Sequence, residues 1–217
     1  ELDAAAIASG RMTPVYFGSA LNNFGVQLLL DGFLEHSLPP GSRRSGSITV
    51  QPDQEAFTGF VFKIQANMDP RHRDRIAFVR VVSGTFNRDM SVTVARTGAK
   101  TRLSNAAKVF GRDRETVDEA FAGDVVGIVG NSRLIIGDTL TEDPAIAYDE
   151  IPRFPPECFS YLENTDTAKF KQFRNGVDQL LEEGVVQRFE QPDSSRQRQL
   201  IGAVGPLQFE IVQYRLE

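Results

Sequence analysis

Phe57-Thr58-Gly59-Phe60-Val61-Phe62-Lys63-Ile64, followed after a basic turn by Ile76-Ala77-Phe78-Val79-Arg80-Val81-Val82, decides the fold of this chain. Both stretches are dense in β-branched and aromatic residues. Asp69-Pro70 follows the first and Ser83-Gly84 the second. That combination predicts two strands bounded by turns. Phe60 and Phe62 lie two residues apart, which places them on one face, suited to burial. Phe57, Phe60 and Phe62 are therefore read as core, not as platforms for stacking bases. Ser91-Val92-Thr93-Val94-Ala95 and Gly123-Asp124-Val125-Val126-Gly127-Ile128-Val129 add two further strands, with turn residues at Asn87-Arg88-Asp89, Gly98 and Gly111. Helical periodicity is missing for about a hundred residues. Many short strands without helices predict an antiparallel barrel or sandwich.

Helical patterns return on both sides. Upstream, Thr13-Pro14-Val15-Tyr16-Phe17 reads as a short buried strand and Gly18-Ser19-Ala20 as a turn. Asn22 or Asn23 is the expected cap of a helix whose apolar face is Val26, Leu29, Leu30, Phe33 and Leu34. Strand, turn and helix make half of a parallel βαβ unit, so its partners are expected upstream. The first residues, Glu1-Leu2-Asp3-Ala4-Ala5-Ala6, lack a signal-peptide pattern and read as the tail of a helix closed by Gly10. Pro39-Pro40-Gly41-Ser42-Arg43-Arg44-Ser45-Gly46-Ser47 is a linker by composition.

Downstream, Cys158-Phe159-Ser160-Tyr161-Leu162 reads as a strand. Thr165 or Asp166 then caps a helix with Phe170, Phe173, Val177, Leu180 and Leu181 on one face, ended by Gly184. Val185–Phe189 and Leu200–Val204 read as strands. Pro206 opens a last helix with Leu207, Ile211 and Tyr214 on one side. The order β-α-β-β-α is a ferredoxin-like unit short of its last strand. The expected organisation is mainly β with α/β: a strand and helix ending another domain at 1–40, a barrel at 41–150, and a truncated ferredoxin-like unit at 151–217.

At 217 residues, 41% hydrophobic and 24% charged, the chain is long enough to bury real cores. Its net charge of −5 hides an asymmetry. Residues 43–114 carry 14 Lys and Arg against 6 Asp and Glu, and the remainder 10 against 23. A basic middle in an acidic chain points to a local polyanion contact. The single cysteine, Cys158, rules out an intrachain disulfide and lacks a partner base. No run of about 18 apolar residues suggests a membrane span. His36 and His72 are too few for a metal site. Glu182-Glu183 stands where a helix dipole disfavours anions, and is read as solvated charge. No Gly-x-x-x-x-Gly-Lys-Ser/Thr loop and no Gly-x-Ser-x-Gly elbow occurs, so the chain holds no complete active site. Two contact candidates remain. Asn67-Met68-Asp69-Pro70-Arg71-His72-Arg73-Asp74-Arg75 sets Arg71, His72, Arg73 and Arg75 at a strand connection, suited to phosphate. Gly18-Ser19-Ala20-Leu21 is a small-residue turn whose backbone N–H groups suit a planar ligand.

Taken together, these motifs resemble a known family. Phe17-Gly18-Ser19-Ala20-Leu21 with Asn23-Phe24-Gly25-Val26 resembles the end of the GTP-binding domain of translational GTPases. Phe60–Pro70 with His72-Arg73-Asp74-Arg75 is similar to the release-factor-3 branch of that family. Gly137-Asp138-Thr139-Leu140, Ile151–Glu157 and Gly202–Glu210 fit the end of its barrel and the start of its third domain. The resemblance implies a cytoplasmic parent GTPase that binds the ribosome after peptide release. The parent would promote departure of the stop-codon-reading release factors. It implies GTP or GDP and Mg²⁺ in that parent and none bound to this chain, which lacks the phosphate loop, the switches and the base-reading motif. Ser19, Ala20 and Leu21 would line the guanine, the barrel would face the small ribosomal subunit, and the third domain would lie near a small-subunit protein, so that Arg71, His72, Arg73 and Arg75 become the candidates for contact with small-subunit RNA and protein. Neither membrane nor DNA is an expected partner. Two alternatives stand beside this reading: part of an elongation-factor-like translocation GTPase, or a barrel binding a non-ribosomal polyanion.

Overall fold

The computed structural model describes residues 2–66, 75–110, 113–130, 134–149, 151–152, 154–190 and 198–217, with backbone alone at 108–110 and 113–114. The chain forms two compact units, Glu1–Gly41 and Ser42–Glu217.

The first unit holds α1 (Ala4–Ala8) and α2 (Val26–His36). Asp3 caps α1, its carboxylate accepting the N–H groups of Ala5 at 2.9 Å and Ala6 at 3.1 Å. The strand expected at 13–17 does not form. A strand exists only where a neighbour takes its backbone groups, and no described residue pairs with these. Nor does either asparagine cap α2. Gly25 precedes the helix at φ +69°, where a Cβ would stand 2.4 Å from the Phe17 carbonyl oxygen. Asn23, at φ +50°, instead belongs to a turn closed by the Ser19–Phe24 bridge.

The second unit begins with β1 (Arg43–Ser45) and β2 (Ile48–Val50). These form a hairpin where composition predicted only a linker. Ser45 is the reason: its hydroxyl donates to the Ala147 carbonyl at 2.8 Å and accepts the Ala147 N–H at 2.9 Å, tying the segment down. There follow β3 (Thr58–Ala66), β4 (Arg75–Ser83), β5 (Thr85–Asn87), β6 (Ser91–Val94), β7 (Ala99–Arg102) and β8 (Ala106–Phe110). Next come β9 (Asp113–Thr116), β10 (Glu119–Phe121), β11 (Val125–Val129) and β12 (Thr139–Thr141). Eight of these make one curled antiparallel sheet in the order β7-β6-β12-β3-β4-β11-β8-β9, and β5 pairs with β10. This is the antiparallel barrel-type module expected, although its ladder is open at β7 and β9 among the described residues.

Alternation along β4 sends Ala77, Val79 and Val81 inward, where they join Phe57, Val61, Ile64, Phe86, Ile128 and Leu140. Each fully buried Ile or Phe contributes about 1.5–3 kcal/mol. A second cluster lies elsewhere on the sheet: Val50, Phe60, Val82, Ile146 and Tyr148, with Ile151 packed against it. The Arg43 guanidinium lies 4.1 Å above the Phe60 ring and 4.9 Å from the Tyr148 ring. Phe60 and Phe62 do not share a buried face. The β3–β4 register shifts between Val61 and Lys63, and this bulge turns both Phe62 and Lys63 outward. Phe60 is 2% exposed and Phe62 39%.

The C-terminal part comprises β13 (Cys158–Glu163), a 3₁₀ turn (Thr167–Lys169) capped by Asp166, α3 (Phe170–Glu182), β14 (Gln187–Phe189), β15 (Arg198–Ala203) and α4 (Pro206–Leu216). The strand order β13-β15-β14 is that of a split βαβ unit. Leu180, Val186, Ile201, Ala203 and Val212 form its core. Cys158 is half-buried in β13. Gly202 is required where it stands, because a Cβ would meet the Phe189 ring at 2.8 Å and Pro156 at 2.9 Å.

Buried Thr58 bonds both the Tyr148 hydroxyl and Ser83 Oγ at 2.7 Å. Burial raises the Tyr148 phenol above its ordinary value, opposed in part by the Thr58 bond and the Arg43 charge. The native state therefore keeps this proton where the unfolded chain releases it, so the contribution is intact below about pH 10 and lost as pH rises beyond it. Tyr148→Phe is expected to cost about 1 kcal/mol at neutral pH. It should also flatten the fall in stability above about pH 10, read from urea unfolding.

Candidate docking surface at the end of the central hairpin

The basic segment springs from the two central strands. β3 and β4 stay paired up to Ala66 opposite Arg75, and residues 67–74 join those two partners. Arg71, His72 and Arg73 lie outside the described residues. Both stems of the segment are defined, and both are held by consecutive glutamates at the end of α3. The Ala66 N–H donates to Glu183 Oε1 at 2.8 Å. Arg75 Nε lies 2.8 Å from Glu182 Oε2, and the Arg75 side chain is only 12% exposed. Arg75, grouped by sequence with the contact arginines, is thus folded back onto α3.

Of the Glu182-Glu183 pair expected to be solvated, Glu182 stays exposed and Glu183 does not. The Glu183 side chain is 8% exposed and accepts the Arg215 fork of α4, with Nη2 to Oε1 at 3.1 Å and Nη1 to Oε2. A carboxylate at a helix C-terminus is unfavourable alone. Here two arginines and a strand N–H supply the positive partners. Two acids at that position were the one signal in the sequence that compensating cations must lie nearby.

Beside this junction is a cleft of about 640 Å³. Bulged Phe62, with Ile135 and Ile136, faces Ile151, Phe154 and Leu181 across it. The Ile135–Ile136 turn is pinned by Asp138, which is 1% exposed. Its carboxylate accepts Arg96 Nε at 2.7 Å, Arg96 Nη2 at 3.1 Å and the Ile135 N–H at 2.9 Å. The Asp138 carboxylate in turn raises the basicity of Arg96.

The charge asymmetry along the sequence is partly cancelled in space. Arg75, Arg88 and Arg96 of the basic middle pair with Glu182, Asp118 and Asp138, all from the acidic remainder. What is left for an outside polyanion is narrower than the window count suggests.

Ser19, Ala20 and Leu21 head the turn before α2. The Ser19 N–H already donates to the Phe24 carbonyl at 2.9 Å, and the Ala20 carbonyl accepts the Asn23 N–H at 3.2 Å. Leu21 is 95% exposed. Engagement of the Ser19 N–H within the turn removes one donor that a planar ligand was expected to meet. The turn offers a base-lining surface at most. A triphosphate also needs a backbone cradle and Mg²⁺ ligands, and this sequence has no motif for them. The residues present do not by themselves make up a guanine-nucleotide site.

Residues 148–217 match the family model of the class II release factor RF3 C-terminal domain, and residues 56–143 that of elongation factor G domain 2. Over all 217 residues the chain is 53% identical to peptide chain release factor 3 of Synechococcus elongatus. The chain belongs to the peptide chain release factor 3 family. It is 51% identical over 215 residues, 99% of its length, to the release factor 3 of Gloeobacter violaceus. The chain spans 39% and 40% of these two relatives. A crystal structure of a Thermus thermophilus protein superposes over 98% of the chain and 31% of its own, with a TM-score of 0.74 at 23% identity. That likeness carries the fold alone. The barrel module is of the translation-factor type by its match to elongation factor G domain 2, and the release-factor-3 assignment comes from the whole-chain identity.

Asp138→Ala removes a buried acceptor of three N–H groups but leaves Arg96 43% solvated. The expected cost is about 1–3 kcal/mol in urea unfolding. Asp138→Asn, which keeps the shape and one acceptor, is expected to cost less.

Proposed function

We propose that this chain is the ribosome-docking part of a release-factor-3-type translational GTPase. The parent binds the ribosome after peptide release and promotes departure of the stop-codon-reading release factors. GTP or GDP with Mg²⁺ belongs to the parent, where Ser19–Leu21 line the guanine base. The division at 1–40, 41–150 and 151–217 and a cytoplasmic location are part of the same reading. The observation that carries it is the whole-chain identity to release factor 3 proteins. Supporting it is the place of Arg71, His72 and Arg73 in the sequence, between Ala66 and Arg75, which pair at the ends of β3 and β4. Arginines on such a segment give affinity for phosphate without reading sequence.

The elongation-factor-like alternative keeps one supporting observation, the match of residues 56–143 to elongation factor G domain 2. That match concerns the barrel only.

Arg71→Ala/Arg73→Ala, with Arg75 left in place, tests the docking reading. Binding to small ribosomal subunits is expected to weaken, and the slope of log K against log salt to fall by about 1–2. Unchanged affinity and slope would remove the segment as a main contact. Competition by free RNA as effective as that by ribosomes would favour a general polyanion binder.

A further inference from the structure

We infer that Arg43, Lys63 and Arg80 form a phosphate-contact surface for RNA on the outward side of the β3–β4 ladder. This surface rests on the docking reading above and adds to it a contact separate from residues 67–74. Pleating decides where these side chains stand. Val61, Ile64, Ala77 and Val79 fill the main core, so the positions alternating with them face the other way. Phe60 stands opposite Arg80 in the register, and Lys63 opposite Phe78. Each cation thus has a ring across from it on the neighbouring strand. Lys63 and Arg80 are diagonal neighbours, a separation of about 7–8 Å. Arg43 reaches the same side from β1, its guanidinium 4.1 Å above the Phe60 ring. Lys63 Nζ lies 5.6 Å from the centre of the Phe78 ring. Lys63 and Arg80 are exposed and Arg43 is half-buried.

The charges on this face are left open. Arg75, Arg88, Arg96 and Arg102, from the same module, each lie against an acid. Among the described residues Arg43, Lys63 and Arg80 form no such pair. Cations gathered without an acid repel one another, and an arriving anion relieves that repulsion. The rings hold Arg43 and Lys63 from beneath without using their N–H donors. Those donors stay available to phosphate, to which a guanidinium offers a fork and an ammonium a point charge. An RNA backbone presents a row of charges of one sign, which suits a cluster of cations with no acid among them. Phe60 is 2% exposed and Phe78 half-buried, so the rings support the cations and do not stack on bases. Contact of this kind carries no preference for base sequence.

The test uses the full chain, titrated over a range of salt with small ribosomal subunits and with a short RNA duplex. Lys63→Gln/Arg80→Gln is expected to lower the slope of log K against log salt by about 1–2 on both ligands. Affinity near 0.1 M salt is expected to fall about tenfold or more. Lys63→Arg/Arg80→Lys keeps both charges and is expected to keep the slope. Arg43 stays in place, because it lies against two buried rings. Urea unfolding checks that the fold is retained. Should the double variant fail to fold, Lys63→Gln and Arg80→Gln are read singly, each with about half the change in slope. Unchanged slope and affinity on both ligands overturn the inference. Loss on the subunits alone also overturns it and assigns the face to an acidic protein. Loss on the duplex alone removes the face from ribosome contact. The docking reading is judged separately. If Arg71→Ala/Arg73→Ala lowers the slope and Lys63→Gln/Arg80→Gln does not, only this surface falls. If the unaltered chain does not bind small subunits, the docking reading falls first.

Discussion

The β3–β4 ladder is the constraint on which the rest of the second unit depends. Its inward side chains supply the centre of the main core, and Phe60 and Val82 supply the second cluster. Neighbouring strands β12 and β11 are added on its two sides, so the curled sheet grows from it in both directions. Its far end carries the basic segment. One antiparallel pair thus fixes the core and the two residues, Ala66 and Arg75, between which the basic stretch of sequence runs.

How much of this was legible in the sequence depends on what each element needed in order to form. β3, β4, β6 and β11 were read from their own residues, because alternation and β-branched density are local properties. The hairpin of β1 and β2 was missed because its stability comes from Ser45 bonding to Ala147, 102 positions away. The 13–17 strand was expected from equally good local signals and has no partner among the described residues. Phe62 was assigned to the core because period two was carried through a stretch that a bulge interrupts. A bulge is set by how two strands meet, and leaves little trace in either one. For the candidate site, the arginines were legible as types in a turn. The inward fold of Arg75 and the burial of Glu183 were not, since both depend on α3 arriving at the end of the hairpin.

Charge followed the same logic. A basic window of sequence is a statement about neighbours along the chain, whereas a field is a statement about neighbours in space. Arg88 and Arg96 find aspartates from downstream connections, and this part of the excess is neutralised locally. The exposed Arg88–Asp118 pair contributes little to stability. The effect of both pairs is to confine positive charge to fewer places, which sharpens recognition more than it raises affinity.

The two carboxylates at the end of α3 have a consequence for the helix itself. An α-helix prefers cations at that terminus, so α3 closes on a turn its own sequence disfavours. Arg75 of the barrel and Arg215 of α4 share the work of offsetting that cost. Separation of the barrel from the C-terminal layer would strip Arg75 and the Ala66 N–H from this last turn and leave Arg215 as its one cation.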